Sequence, residues 1–272
     1  RVFFLYLFVC VAGTIMIAYA FQYLVFTPYV DTGNPVLQGV RSISGGSSAV
    51  ITKAHNNKFV KVVMNPGGKG IIATYNNSVE GRGGIVFDSG GERFMEGSAN
   101  KYDNRRYMEN IAAWLEENNV SEGGRNILIY NTAGSLEADK DPFSRSAFEG
   151  LEKKDGFKIK LTDRKETPQI SRSLLEQYSQ LWIIFGEAGP ACCFSDAELK
   201  TITGFSQDGK GLLIAAGKHH EGTDLTAVNR LSSGFGVTFS GPVENAEELR
   251  VSTSFYFFNR MSELLERFYK QF

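Results

Sequence analysis

Two short apolar runs, 181–185 and 212–216, each end in glycine and enclose a segment whose apolar residues Leu199, Ile202 and Phe205 recur at helical spacing. Runs without polar alternation fit strands covered on both faces, so the pattern predicts a β-α-β unit in a parallel sheet. The same pattern extends in both directions. Residues 126–130 and 157–161 read as strands, and the alternating lysines of the second mark it as an edge. Helices are predicted from Pro142 (with Phe143, Ala147, Phe148 and Leu151), from Ser171, and around Leu225, Val228 and Leu231. A short strand over 236–239 precedes an amphipathic helix carrying Phe257, Met261, Leu264, Leu265 and Phe268. This order predicts an α/β fold with a doubly wound, largely parallel sheet in three layers.

The first half reads differently. Short β-like runs at 49–52, 59–63, 71–75 and 84–87 are punctuated by Gly67-Gly68 and Asn76-Asn77. A helix over 103–118 follows, with Asp103 as its expected N-cap and Tyr107, Ile111, Trp114 and Leu115 on one buried face. This helix is expected to pack on the same sheet, because the first half alone is short of apolar residues for its own core.

From Val2 to Phe26 no charge interrupts an apolar run, which is long enough to cross a bilayer as one helix. Tyr19, Tyr23 and Tyr29 gather at its far end, where aromatic side chains prefer the interface, and Pro28 stops it. A cleaved signal peptide is the alternative, with Ala18-Tyr19-Ala20 as the small-residue site. Arg1 precedes the run and no Lys or Arg follows until Arg41, which places the amino end in the cytoplasm and the soluble part outside. The expected organisation is an anchor over 1–28, a Gly/Pro/Ser-rich linker over 29–48, and an α/β domain over 49–272. The domain divides into a β-rich first half with its helix (49–122) and the main sheet (123–272). If the domain is exported, Asn76 and Asn119 lie in glycosylation sequons.

Charge and cysteine count narrow the chemistry. With 29 basic and 30 acidic residues the formal net charge is −1, so no basic field points to nucleic acid. Three cysteines make no disulfide framework; Cys192 and Cys193 are adjacent and read as free thiols rather than a redox pair. No Cys/His spacing supports zinc, and no phosphate-binding glycine pattern is present, so no metal or cofactor is expected.

Ligands of parallel α/β sheets bind beyond the carboxyl ends of the strands. The polar residues there are His219, His220, Glu221 and Asp224 after the second apolar run, and Asp88 and Ser89 after the 84–87 run. The first group reads as an ion or ligand contact, or as a polar loop. Asp88-Ser89-Gly90-Gly91 reads as an anion nest, or as a turn capped by Asp88.

From Asn126 to Phe239 the chain resembles the glutamine-amidotransferase-like, flavodoxin-related domains. The likeness is to their non-catalytic, membrane-anchored branch: GldG-type auxiliary proteins, intraflagellar-transport-like domains and the DUF4350 proteins. Tyr178 to Ile184, Gly189-Pro190, Phe194-Ser195 and Gly209 to Ala216 carry this resemblance. GRGGIVFDSG (81–90) and DNRRYMENIAAWL (103–115) resemble a segment that follows the sheet in those families and precedes it here, which implies a permuted or duplicated arrangement. Catalytic relatives carry a G-x-C-x-G elbow. Here Gly217-Lys218-His219-His220-Glu221 puts His219 at the nucleophile position and Glu221 at the second glycine, and no histidine follows His220. The resemblance therefore implies a non-enzymatic accessory or scaffold subunit of a membrane complex, anchored in the bilayer through residues 2–26. Two alternatives stay open. One is a degenerate cysteine hydrolase using Cys192 or Cys193 with His219 or His220; the other is a carbohydrate-binding domain.

Overall fold

A computed structural model describes residues 34–46, 49–55, 57–64, 69–77, 80–119, 124–132, 145–185, 194–216, 225–242 and 246–250. The expected anchor (2–26), the Gly67-Gly68 turn, the start of the helix at Pro142 and the carboxy-terminal amphipathic stretch lie outside these residues. Among the described residues no helix is long and apolar enough to cross a membrane.

The strands are β1 (Ser42–Gly46), β2 (Ala49–Lys53), β3 (Val60–Met64), β4 (Gly70–Tyr75), β5 (Ile85–Asp88), β6 (Asn126–Asn131), β7 (Lys158–Asp163), β8 (Gln180–Ile184), β9 (Gly211–Ala215), β10 (Val237–Pro242) and β11 (Ala246–Arg250). Seven of them form one sheet in the order β3-β4-β5-β9-β8-β6-β7. β5, β9, β8, β6 and β7 are parallel, and β3 and β4 continue the sheet antiparallel beyond β5. The two apolar runs are thus adjacent parallel interior strands, and β7, the lysine-bearing strand, is the outermost.

Alternation explains why these runs look uniformly apolar. Val86, Ile127, Ile129, Trp182, Ile184 and Leu213 point to one face, under the helix α1 (Asn104–Glu117) with its buried Tyr107, Ile111, Trp114 and Leu115. The α2 helix (Glu149–Asp155) adds Leu151 to that core. Phe87, Leu128, Tyr130, Leu181, Ile183, Leu212 and Ile214 point to the other face. There they meet Ile202 and Phe205 of α3 (Asp196–Gln207) and Val228 and Leu231 of α4 (Thr226–Ser232). Both faces being covered, neither tolerates polar alternation.

Strand β5, from the first half, reaches β6 through α1, passing over β9 and β8. Close backbone approach anchors it: a Cβ on Gly83 would collide with the carbonyl oxygen of Lys210, while the Gly83 amide donates to Ser206 O at 2.9 Å.

The linker reading is corrected, and the pairing of the outlying strands and the role of Asp103 are defined. Residues 34–46, read as part of a linker, are built into the fold: Asn34 caps a 3-10 turn (Pro35–Leu37), and Val36, Leu37, Val40 and Ile43 are buried in the α1-side core. β2 and β10 do not join the main sheet but pair with each other as a two-stranded ribbon on the α3 side. β1 and β11 form a second ribbon on the α1 side, contributing Ile43 and Leu249. Finally, Asp103 stands at the N-cap of α1 without a side-chain capping bond. Its carboxylate instead accepts the amides of Arg41 (2.8 Å) and Ser42 (3.4 Å), so it ties β1 to the helix start.

Candidate functional site

Asp88, Asn131, Asp163, Ile184 and Ala215 end the five parallel strands on the same edge of the sheet. Cys192 and Cys193, and His219, His220, Glu221 and Asp224, belong to segments following β8 and β9 that lie outside the described residues. Of the sequence candidates, Asp88 and Ser89 are described, and both are completely buried.

The Asp88 loop is a turn capped by its own aspartate. Oδ1 of Asp88 accepts the Gly90 amide at 2.7 Å. The neighbouring amides are also engaged: Ser89 N–H donates to Ile71 O (3.0 Å) and Gly91 N–H to Ala216 O (2.5 Å). With the amides of residues 89, 90 and 91 all directed at protein acceptors, the loop presents no anion nest.

The second Asp88 partner is one that sequence reading passes over. Arg93, in the 3-10 turn Gly91–Phe94, is fully buried and pairs with Asp88 Oδ1 through Nη1. Its Nε donates to Ser44 O of β1 at 2.8 Å, and Nη1 also reaches Gly90 O at 3.4 Å. Tyr107 of α1, likewise buried, flanks the pair. Burial pushes the Asp88 carboxyl above its ordinary value; the Arg93 guanidinium and the Gly90 amide oppose that shift. Arg93 is the charged partner that offsets the cost of burying the Asp88 carboxylate. Burial, then the Asp88 charge, holds the Tyr107 phenol well above its ordinary value, so it stays protonated.

A second cluster joins β7 to α3. Arg164, directly after β7, pairs with Glu198 Oε1 and reaches Oε2 at 3.4 Å; its guanidinium also donates to Pro168 O at 2.9 Å. The guanidinium lies 4.9 Å from the centre of the Phe194 ring and 5.8 Å from that of Tyr130. Glu198 further accepts the amides of Ile170 (3.1 Å) and Ser195 (2.9 Å), and Ser195 completes a capping box on α3. Burial alone would raise the Glu198 carboxyl, but the hydrogen bonds from Arg164, Ser195 and Ile170 hold it at about 2. Burial pushes the Tyr130 phenol up to about 12, so it remains a donor, to Thr167 O at 2.7 Å.

Both clusters are structural ties near the strand ends, and neither pairs a nucleophile with a base; in the first, Asp88 Oδ2, Ser89 Oγ, Arg93 Nη2 and Tyr107 Oη are buried without a hydrogen-bond partner among the described residues. Among the described residues no group of His, Cys, Asp and Glu can hold a metal ion. The Ser195-x-x-Glu198 spacing was a readable helix-start signal. Nothing local announced that Arg93 is buried or that Arg164 is largely enclosed.

No family model matches the chain, and no curated protein matches it. Three solved structures share its fold. The IMPa metallopeptidase from Pseudomonas aeruginosa is 12% identical with a TM-score of 0.51, over 76% of this chain and 21% of that one. The same enzyme in complex with an O-glycopeptide gives 11% identity and a TM-score of 0.52, over 79% and 22%. IMPa in complex with T-antigen gives 13% and 0.52, over 78% and 23%. The chain therefore spans about a fifth of the proteins it resembles, and at this identity the likeness is one of fold. The zinc-peptidase pattern H-E-x-x-H is absent from the sequence; His220-Glu221-Gly222-Thr223 is followed by Asp224.

Proposed function

We propose that this chain is a non-enzymatic accessory or scaffold module of a membrane complex, anchored by a single helix over residues 2–26, with its α/β domain outside the cytoplasm making protein contacts. The observation that carries this reading is the use of two carboxylates among the described residues near the strand ends. Asp88 is locked by Arg93 and the Gly90 amide, and Glu198 by Arg164, Ile170 and Ser195. An acid or base needs an accessible, mobile proton; both carboxylates are instead fixed by charged partners inside the fold.

The strand order supports the amidotransferase-like, flavodoxin-related resemblance. Read as β7-β6-β8-β9-β5, it is the 2-1-3-4-5 order of flavodoxin-like sheets, with the fifth strand supplied from before the first. This order supports the permuted alternative of the permuted or duplicated arrangement that the resemblance implies. Without the G-x-C-x-G elbow and with no histidine after His220, such a domain binds rather than turns over substrate.

Anchoring is tested by fractionation. The chain is expected to stay in the membrane pellet after a carbonate wash, and a version lacking residues 2–26 to move to the supernatant. Recovery of the intact chain in the supernatant, or a mature protein beginning after Ala20, would contradict the anchor.

A further inference from the structure

Among the described residues, the ribbon of β1 and β11 has one edge covered and one edge without a pairing strand. In an antiparallel ladder the N–H and C=O of a residue point to the same side, and successive residues alternate. In β1 the outward side is occupied by side chains. Ser42 N–H donates to Asp103 and Ser42 O accepts the Asp103 amide at 3.1 Å. Ser44 N–H donates to Asn104 Oδ1 at 2.9 Å and Ser44 O accepts Arg93 Nε at 2.8 Å. Ile43 therefore faces its register partner Leu249, and Glu248, opposite Ser44, turns its own N–H and C=O away from β1. By the same alternation Ala246 and Arg250 present their backbone groups on that outer edge. Among the described residues no strand pairs with it.

The surroundings of this edge select what can add to it. Glu247 and Glu248 are exposed. Beside them stands Tyr102, the exposed large hydrophobic side chain of the described residues, at 41%. Tyr102 is held at φ +48°, in the left-handed region where a tyrosine is rare. Partial desolvation, then the charges of Glu247 and Glu248, raise its phenol. Two exposed carboxylates on one edge strand favour a cationic partner. Two copies of the same edge would set glutamates against each other, and like charges on paired strands repel.

We propose that the outer edge of β11 accepts an extended, basic segment of a partner protein as an added strand, with Lys or Arg side chains drawn to Glu247 on one face of the ribbon and to Glu248 on the other. Strand addition takes its affinity from main-chain bonds and its specificity from side-chain seats. The inference rests on the accessory-module reading only for the partner being a protein; it is independent of the anchor. Failure of the fractionation test would leave it standing, and failure of the test below would leave the anchor standing.

The probe is a short fluorescein-labelled peptide alternating lysine and valine, with a glutamate-valine counterpart, titrated against the full chain in detergent by anisotropy. The lysine peptide is expected to bind and the glutamate peptide to bind at least about tenfold more weakly, with the difference shrinking at high salt. Glu248→Pro removes the outward N–H while leaving the β1 ladder intact, and is expected to weaken binding at least about tenfold. The double change Glu247→Lys with Glu248→Lys is expected to abolish it without altering backbone signals. Equal binding of both peptides would overturn the proposal, as would unchanged binding by both variants. So would a lack of binding accompanied by slow exchange of the Glu248 amide, which would show the edge covered by the chain itself, or dimerisation of the free chain through this edge.

Discussion

Replacing Arg93 with methionine is expected to destabilise the domain by about 3–5 kcal/mol, the usual cost of leaving a buried charge without its partner. Arg93 and Asp88 are both fully buried, and the guanidinium also supplies Ser44 O and Gly90 O. Its loss strands the Asp88 carboxylate in the core and frees the outward carbonyl of β1. The effect is expected to be strongly non-additive with Asp88→Asn: the double variant should regain about half of the loss, because no lone charge remains. Urea unfolding of the α/β domain followed by tryptophan fluorescence measures this, with Trp114 and Trp182 both in the α1-side core. Amide exchange on β1 should rise in the single variant. A loss below about 1 kcal/mol would mean that the pair is not the buried tie described here.

Glu198→Gln carries the second largest expected effect, about 3 kcal/mol at neutral pH. The Glu198 side chain is 5% exposed, that of Arg164 14%, and removing the carboxylate charge leaves the arginine confined beside Phe194 without its counterion. The sign with pH follows from the carboxyl. Its folded value of about 2 lies below the ordinary 4.5, so the stabilisation is fully present above 4.5 and disappears as pH falls through 2. The difference in unfolding free energy between wild type and Glu198→Gln should therefore be constant from neutral pH down to about 5 and shrink below it. A difference that stayed flat across that window would assign the loss to packing rather than to the ion pair.

How far the sequence reveals this molecule depends on how local each signal is. The central strands were legible because burial on both faces leaves runs such as Leu181-Trp182-Ile183-Ile184 with no polar interruption. Helix α1 was legible from Tyr107, Ile111, Trp114 and Leu115, and α3 from the spacing of Leu199, Ile202 and Phe205. The ribbon β1–β11 was not. Its strands carry Ser42, Ser44, Glu247 and Glu248 around single buried apolar residues, Ile43 and Leu249, and such composition reads as a solvated linker. Asp103 looked like a cap because its position was right, but its carboxylate is drawn to amides 61 and 62 residues earlier. Arg93 illustrates the limit for the site. Between Glu92 and Phe94 it reads as a surface residue, and only the return of β1 and the end of β5 make its burial possible.

The non-enzymatic reading is tested most directly in cells that depend on the chain. Cys192→Ala, Cys193→Ala and His219→Ala are compared with a version lacking residues 2–26, at matched expression, by assembly of the membrane complex and by its activity. The account predicts that each of the three folded side-chain variants supports assembly and activity at the wild-type level, while the anchor deletion abolishes both. A cysteine variant that folds normally and assembles but has lost activity, with the anchor deletion still active, would contradict it and establish nucleophilic chemistry in its place.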